Sequence, residues 1–165
     1  MDIQKLSQTY TVRRLEPGDV EQIYNLSRGN TSFYQFHPPF VTRESIREDM
    51  RALPPGKEAR DKFYIGFFRQ ETLVAMMDLI RGYPAEGVMF IGLFMTDPAV
   101  QGQGVGSEII GTCCEYWTEL GYETVRLGVD KGNPQSSAFW RKNGFKQIDS
   151  ETEQYEMMER VLKKE

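Results

Sequence analysis

A glycine-rich loop is the part of this 165-residue sequence with the clearest chemical use. The segment Gln101–Ser107 reads QGQGVGS, with a glycine at every second position, and lies between a predicted strand and a predicted helix. Without Cβ atoms the backbone can approach a ligand closely, and its N–H groups lie at the positive end of the helix dipole. Such a loop binds an anion, typically a phosphate group. The structural alternative is a tight glycine turn that only closes on its helix.

Two other nucleotide-binding motifs compete for this loop. A Walker loop requires a lysine after its last glycine, whereas Ser107 follows Gly106 here. A dinucleotide-binding fingerprint fits Gly102 and Gly104, and Asp130 ends the next predicted strand where a ribose-binding acid belongs. However, its third glycine position is Ser107, and strands and helices precede the loop, whereas that fold begins with the fingerprint. An NAD-dependent oxidoreductase is therefore the weaker alternative.

Asp78 is the most conspicuous candidate for proton transfer. It lies in the otherwise apolar predicted strand Leu73–Ile80, and a carboxylate among apolar neighbours requires a reason. A raised pKa would let it accept a proton from an amine, or it could bind a substrate ammonium group. The structural alternative is an aspartate on the solvent-exposed face of an edge strand. Glu86 and Asp97 are weaker candidates in loops.

Other nucleophiles and metal ligands are scarce. His37 is the only histidine, which excludes a multi-histidine metal site, and no Gly-x-Ser-x-Gly motif accompanies it. Cys113 and Cys114 are adjacent and cannot form an ordinary disulfide. Cys113 shares an apolar helix stripe, where a buried thiol is far commoner than an acyl-cysteine. The sequence predicts neither a metal site nor a cysteine nucleophile.

The elements that would position these residues follow the order β-α-α-β-β-β-α-β-α-β-β. A strand-rich antiparallel front half followed by a β-α-β unit predicts a mixed α/β sheet. Gly92, inside an apolar strand, permits a β-bulge. The predicted strands are Tyr10–Leu15, Lys62–Arg69, Thr72–Ile80, Val88–Thr96, Thr124–Val129, Phe145–Ile148 and Gln154–Leu162, the last two as a hairpin.

Caps and turns locate the helices. Pro17 begins the first, and Thr42–Ser45 begins the second. The third starts within the glycine loop and stops at Gly121, and Asn133 caps the fourth. The aromatic, proline-rich segment Asn30–Phe40 predicts an ordered loop.

Two spaced motifs resemble those of the GNAT superfamily of N-acetyltransferases. Its motif A resembles Gln101-x-x-Gly104-x-Gly106, preceded by a strand and the Asp97-Pro98 turn; its motif B resembles Asn133-x-x-Ser136-x-x-Phe139-Trp140-x-x-x-Gly144-Phe145. Their order and spacing agree with the family from about residue 10 to 162. The resemblance implies one GNAT-like domain over residues 1–165, of class α/β (α+β), with a largely antiparallel twisted sheet and helices on both faces.

The resemblance also implies acetyl-CoA as the acyl donor. Backbone amides of residues 102–107 would bind its pyrophosphate, and residues 94–96 would pair with pantetheine like an added strand. Asn133 would hydrogen-bond pantetheine or adjoining backbone, unless it is only a helix cap. The implied CoA-binding residues are Phe94, Met95, Thr96, Gln101, Gly102, Gln103, Gly104, Val105, Gly106, Ser107, Asn133, Ser136, Phe139 and Trp140.

The implied reaction is direct attack of a primary amine on the thioester within a ternary complex. A backbone N–H near Phe94 would stabilise the oxyanion, and Asp78 is the candidate base. Many relatives carry a tyrosine acid where this chain has Trp140, and an indole is not a useful proton source. Tyr83, Tyr34 or water would then protonate the thiolate. A non-catalytic acyl-CoA sensor is the alternative, and the acceptor, a small amine or a protein or peptide amine, stays open.

Composition limits the remaining partners. A net charge of −4 argues against a broad nucleic-acid footprint and is compatible with a cationic substrate. No apolar run approaches the roughly 18–20 residues of a membrane span. The start lacks a signal-like pattern, and with adjacent cysteines this favours the cytoplasm. A homodimer is an expectation from the family alone.

Overall fold

A computed structural model describes residues 1–149 and 152–163. The strands are β1 Thr11–Arg14, β2 Lys62–Arg69, β3 Thr72–Arg81, β4 Val88–Thr96, β5 Thr124–Asp130, β6 Lys146–Gln147 and β7 Tyr155–Val161. The α-helices are α1 Val20–Arg28, α2 Thr31–Phe36, α3 Arg43–Arg51, α4 Val105–Glu119 and α5 Pro134–Lys142. The predicted elements are present, with one helix added and with ends that move by a few residues.

The seven strands form one mixed, largely antiparallel sheet in the order β1-β2-β3-β4-β5-β7-β6. Among the described residues, β4 and β5 are the only neighbours that run parallel. The α4 crossover joins them, as a parallel connection requires. β6 and β7 pair antiparallel as predicted. Residues 150 and 151, which belong to the predicted hairpin connection, lie outside the described part of the chain.

Helices cover both faces of the sheet, as predicted. Successive side chains of a strand point to opposite faces, so Met76 packs with α1 and α3 while Met77 packs with α4. Both methionines are almost fully buried. Burial on both faces explains why β2 and β3 read as nearly continuous apolar runs rather than as alternating ones.

The segment Asn30–Phe40 corrects the prediction of a loop, because Thr31–Phe36 forms the short helix α2. Its first turn is held by the Asn30 carbonyl, which accepts from the Phe33 and Tyr34 N–H groups. A segment of six residues, three of them aromatic, is too short to show a helical periodicity, and the flanking prolines suggest a loop. Only the packing of Phe33 and Tyr34 against the α1–α3 core reveals the helix.

The parallel pairing of β4 with β5 is short, and the point where it ends determines where the candidate site lies. Pairing runs from Val88 with Thr124 to Ile91 with Leu127 and then stops, although both strands continue. Beyond Ile91, β4 still pairs with β3 and β5 still pairs with β7. The two strands therefore diverge, and a gap opens in the middle of the sheet.

Gly92 lies where the divergence begins. Asp78 pairs with Leu93 and Leu79 pairs with Ile91, so Gly92 is the extra residue of a β-bulge. The bulge predicted at this glycine is confirmed. The same register places Asp78 on β3, between β2 and β4, so the alternative of an edge-strand aspartate is wrong.

Candidate functional site

The glycine loop forms one wall of a cavity of about 470 Å³ beside the gap. Gly102 and Gly104 have φ angles of +78° and +79°, and Gly104 is the N-cap of α4. A Cβ atom at either position would meet nothing within 4 Å, so the glycines are required by conformation and leave open space before the helix. The N–H groups of the first turn have no partner within the helix. The wall therefore presents backbone donors at the positive end of α4.

The glutamine side chains of this loop donate hydrogen bonds to neighbouring residues of the protein. The Gln101 amide donates to Asn30 Oδ1 at 2.8 Å and to the Thr96 carbonyl at 3.2 Å. Gln103 donates to the Ala99 carbonyl at 3.2 Å and does not line the cavity. Both side chains therefore hold the loop in shape, and Gln101 also lines the cavity.

Helix α5 forms the opposite wall. Asn133 is buried and its Oδ1 accepts from the Ser136 N–H at 3.2 Å, which confirms the predicted helix cap. Asn133, Ser136 and Phe139 all line the cavity. A Cβ atom at Gly106 would stand 3.1 Å from Phe139, so this glycine lets α4 and α5 approach closely. Lys142, which sequence reasoning missed, adds a cation to the same cavity.

The edge of β4 that faces the gap offers backbone groups for pairing. The Asp97 N–H donates to the Val74 carbonyl on β3, and backbone directions alternate along a strand. Phe94 and Thr96 therefore turn their polar groups toward the gap, while Met95 turns its own toward β3. The Thr96 carbonyl already accepts from the Asn30 and Gln101 amides. Of the three residues predicted to pair with pantetheine, Phe94 is therefore the one whose backbone N–H and carbonyl both face the gap without a competing side-chain partner.

A second cavity, of about 600 Å³, lies on the other side of the gap. Phe33, Phe94, Ser136 and Trp140 line both cavities, so the two meet at the point where β4 and β5 part. The second cavity combines aromatic rings with carboxyl groups. Its acidic lining residues are Glu48, Asp49, Asp78 and Asp130, and its aromatic ones are Phe33, Tyr34, Phe90, Phe94, Trp140 and Tyr155.

Asp78 lines this second cavity and forms an ion pair within its wall. Its Oδ2 accepts from Lys62 Nζ at 2.9 Å, and the two side chains are 16% and 7% exposed. Burial raises the pKa of Asp78, the Lys62 charge opposes that rise, and the nearby Asp49 adds to it. The other carboxylate oxygen, Oδ1, is buried and has no hydrogen-bond partner among the described residues.

The candidate proton donors occupy different places. Trp140 packs among Phe94, Phe139 and Phe145 and is almost fully buried. Its indole offers no phenol hydroxyl at this position. Tyr34 lines the second cavity, and burial raises its pKa to about 12 against an opposing hydrogen bond with Ser27.

Tyr83 does not reach this region. It lies in the β3–β4 connection, packs edge-on against Phe90 with ring centroids 5.2 Å apart, and lines neither cavity. Because the glycine loop follows the far end of β4, this connection is at the opposite end of the strand. The structure does not bring Tyr83 to the other predicted residues.

Sequence reasoning missed a histidine–aspartate pair in the second cavity. His37 Nδ1 lies 2.9 and 3.1 Å from the two carboxylate oxygens of Asp130, which is the last residue of β5. The two residues are 93 positions apart, and a lone histidine before two prolines carries no signal for such a partner. The sequence does place Asp130 at the end of a predicted strand, but that position suggested a contact with a ribose hydroxyl.

Both cysteines are buried, as the sequence predicts. Cys113 and Cys114 lie on α4, face the core, and are 0% and 1% exposed. Burial raises the pKa of both thiols, that of Cys114 to about 11. Among residues 1–149 and 152–163, no three side chains of the metal-binding types come together. Within the same residues no helix has both the length and the apolar character needed to cross a bilayer.

The family model for the acetyltransferase (GNAT) family matches residues 20–145. No curated protein sequence matches the chain significantly. Among solved structures, an acetyltransferase from Thermus thermophilus is 19% identical with a TM-score of 0.77, covering 93% of this chain and 97% of that one.

Two further solved structures were determined with bound coenzyme A. PaiA N-acetyltransferase from Thermoplasma acidophilum in complex with coenzyme A is 21% identical, with a TM-score of 0.69 and coverage of 93% and 99%. Spermidine N-acetyltransferase from Vibrio cholerae, in complex with CoA and spermine, is 21% identical, with a TM-score of 0.66 and coverage of 94% and 97%. At this identity the likeness shows a shared fold.

The burial of both cysteines predicts that neither reacts in the folded protein. With 5,5′-dithiobis(2-nitrobenzoate) at pH 8, we expect no labelling of the native chain on the timescale of a free thiol, and labelling of both cysteines in guanidinium chloride. The absorbance of the released thiolate measures this. Rapid labelling of either cysteine in the native protein would contradict the buried placement.

The burial of the Lys62–Asp78 pair predicts a large cost when one partner is lost. Lys62→Met leaves the carboxylate without its counter-ion, and we expect a loss of roughly 3–5 kcal/mol in the free energy of unfolding. The double variant Lys62→Met/Asp78→Leu should recover most of it. Urea unfolding measures both.

Arg60→Met is the control, because Arg60 pairs with Glu58 on the surface, where the side chains are 76% and 67% exposed. Its loss should stay below about 1 kcal/mol. If Lys62→Met costs no more than Arg60→Met, the ion pair contributes nothing to the fold.

Proposed function

Since this chain belongs to the GNAT family of acetyltransferases and is therefore an acyltransferase, we propose that it transfers an acetyl group from acetyl-CoA to a primary amine by direct attack within a ternary complex. The observation that carries this proposal is the junction of the two cavities, where Phe33, Phe94, Ser136 and Trp140 line both. Two substrates that enter from opposite sides would meet there, and proximity of this kind lowers the barrier to acyl transfer.

The family match removes the dinucleotide alternative considered from the glycine pattern. Asp130, which would have bound a ribose hydroxyl in that fold, instead faces His37 in the second cavity. The sheet also has an antiparallel front half, whereas a dinucleotide-binding fold starts with its parallel β-α-β unit.

The first cavity is the proposed site of acetyl-CoA. Backbone N–H groups of residues 102–107 would bind the diphosphate, and Lys142 supplies a positive charge in the same cavity. Pantetheine would lie between the exposed edge of β4, at Phe94 and Thr96, and the wall made by Asn133, Ser136 and Phe139. This direction leads from the glycine loop to the gap, so the thioester would arrive at Phe94.

The second cavity is the proposed site of the acceptor amine. Carboxyl groups attract a protonated amine, and the aromatic rings would contact an apolar part of the same molecule. A solved structure of the same fold is a spermidine N-acetyltransferase in complex with CoA and spermine, which supports a positively charged acceptor here. In this proposal Asp78, which is paired with Lys62, adds to the negative charge of the cavity wall without direct contact with the ammonium group.

The chemistry at the junction requires few protein groups. The Phe94 N–H faces the gap and would donate to the thioester oxygen as negative charge develops there. The leaving thiolate comes from a thiol with an ordinary pKa near ~8.5, so it needs little assistance. Tyr34 lines the acceptor cavity, but its pKa of about 12 is well above that of the leaving thiol, so in this proposal the thiolate takes its proton from the attacking nitrogen. Tyr83 has no part in this proposal.

An amine screen tests the proposal. Acetyl-CoA is incubated with the protein and a panel of diamines, polyamines, arylalkylamines and lysine peptides, and mass spectrometry detects any product heavier by one acetyl group. We expect acetylation of cationic amines from the small-molecule part of the panel. Binding of acetyl-CoA without acetylation of any amine would instead support a non-catalytic acyl-CoA sensor.

A charge placed at the glycine loop should abolish CoA binding. Gly104→Glu puts a carboxylate in the open space before α4, where it would repel the diphosphate. Gly121→Glu is a matched control, because Gly121 also has a positive φ, +92°, and an open Cβ position, but follows the other end of α4. Both variants carry similar backbone strain, about 1–2 kcal/mol.

Isothermal titration calorimetry with CoA measures the difference. We expect no detectable binding by Gly104→Glu and wild-type affinity for Gly121→Glu. Wild-type affinity in Gly104→Glu would remove the loop from the binding site.

Neutralising Asp78 should weaken acceptor binding more than turnover. Asp78→Asn removes a charge from the cavity wall, so KM for a cationic amine should rise about 10-fold or more while kcat changes less. Asp61→Asn is the control: Asp61 also pairs with cations, Lys57 and Arg81, but lines neither cavity. Initial rates against amine concentration measure both, and an unchanged KM in Asp78→Asn would show that the charge of Asp78 does not contribute to acceptor binding.

A further inference from the structure

The proposed function leaves one hydrogen-bonded polar pair of the acceptor cavity without a role. His37 and Asp130 both line this cavity, and His37 Nδ1 lies within hydrogen-bond distance of both carboxylate oxygens, at 2.9 and 3.1 Å. The Asp130 side chain is 8% exposed, whereas His37 is 39% exposed. The Asp130 side of the pair is therefore enclosed, and the His37 side is open to the cavity.

The pair lies beside the junction of the two cavities. The His37 ring packs against Phe33 with centroids 5.2 Å apart, and Phe33 lines both cavities. On the other side, the Asp130 carbonyl accepts from the Asn133 N–H at 3.2 Å, so the aspartate is joined to the turn that starts α5. Because Ser136 of the first turn of α5 also lines both cavities, the pair and the thioester position share one wall.

The geometry predicts which nitrogen of the imidazole is free. A carboxylate accepts hydrogen bonds only, so His37 Nδ1 carries a proton that it donates to Asp130. In the neutral ring Nε2 then has a lone pair, which is available to a substrate. The buried carboxylate also stabilises the imidazolium that forms when Nε2 takes up a proton.

Asp78 compares poorly as a proton acceptor. One of its oxygens accepts from Lys62 at 2.9 Å, the other is enclosed, and the side chain is only 16% exposed. His37 is more exposed and has no cation as a partner among the described residues. Histidine is also the side chain whose ordinary titration range spans neutral pH.

We infer that His37 is the catalytic base that takes the proton from the acceptor amine, with Asp130 as the positioning residue that fixes its tautomer. The inference rests on the proposed acetyl transfer. The protonated amine R–NH₃⁺ gives one proton to Nε2, and the nitrogen lone pair of R–NH₂ then attacks the thioester carbon. As the new C–N bond forms and the C–S bond breaks, the nitrogen loses a second proton, which the thiolate takes to become CoA–SH. The first proton leaves His37 to solvent.

Other ionisable groups line the same cavity as His37. Asp130 and Tyr155 approach from β5 and β7, and Tyr155 has its ring centroid 6.5 Å from that of His37. Glu48 and Asp49 come from α3, and Asp78 from β3. Because several ionisable groups share this cavity, the pH profile of activity is compared with a direct titration of the imidazole ring.

Nuclear magnetic resonance of the unmodified protein provides that titration. His37 is the chain's only histidine, so its imidazole signals need no assignment. With ¹⁵N-labelled protein, we expect a neutral ring protonated at Nδ1 and not at Nε2, and a midpoint that coincides with the acid limb of the kcat/KM profile. Spermidine and 2-phenylethylamine are the acceptor probes. A neutral ring protonated at Nε2, or a midpoint away from that limb, would overturn the inference.

Variants separate catalysis from structure. In His37→Gln, kcat should fall about 10²–10⁴-fold and the acid limb should disappear, while calorimetry shows unchanged CoA binding. His37→Ala should be partly restored by added imidazole, which a purely structural role would not produce. Asp130→Asn should retain the histidine but shift its NMR midpoint and the acid limb together, downward, because the imidazolium loses its partner. A wild-type profile in His37→Gln would overturn the inference.

Failure of the proposed function gives a different result. If wild-type protein acetylates neither probe nor any amine of the wider panel, the acetyl-transfer proposal fails and the catalytic role of His37 fails with it. If wild-type protein acetylates an amine and His37→Gln matches it in rate and pH profile, only the inference about His37 fails.

Discussion

The parting of β4 and β5 is the constraint on which the site depends. The two strands pair over four positions and then separate, because β4 stays with β3 while β5 stays with β7. The extra residue Gly92 starts the divergence on β4 without breaking its pairing with β3. A gap inside a sheet leaves backbone groups of β4 unpaired, and two cavities meet across it. The helices that follow the strands, α4 and α5, supply the remaining walls.

Much of this arrangement was predictable from local patterns. The glycine loop, the strand before it, the caps at Thr42 and Asn133 and the bulge at Gly92 each depend on a few adjacent residues whose conformational limits are strong. The apolar runs of β2 and β3 predicted buried strands, and the two spaced motifs predicted the family. Placing Asp78 in a buried strand was also correct.

What the sequence did not reveal depends on contacts between distant residues. The partners of Asp78 and His37 are Lys62 and Asp130, which lie 16 and 93 positions away. Helix α2 is too short to show a period, and its aromatic residues are explained only by the core they enter. The side chains of the two loop glutamines donate to oxygens of Asn30, Thr96 and Ala99, and the loop sequence alone gives no sign of these partners.

In the proposed complex the acyl donor enters from the glycine loop and presents its thioester at the gap. A crystal structure of the protein with coenzyme A tests this most directly. We expect diphosphate oxygens to lie about 3 Å from backbone nitrogens of the first turn of α4, and the sulfur to lie between Phe94 and Ser136. Coenzyme A bound elsewhere, or with its sulfur directed away from the gap, would contradict it.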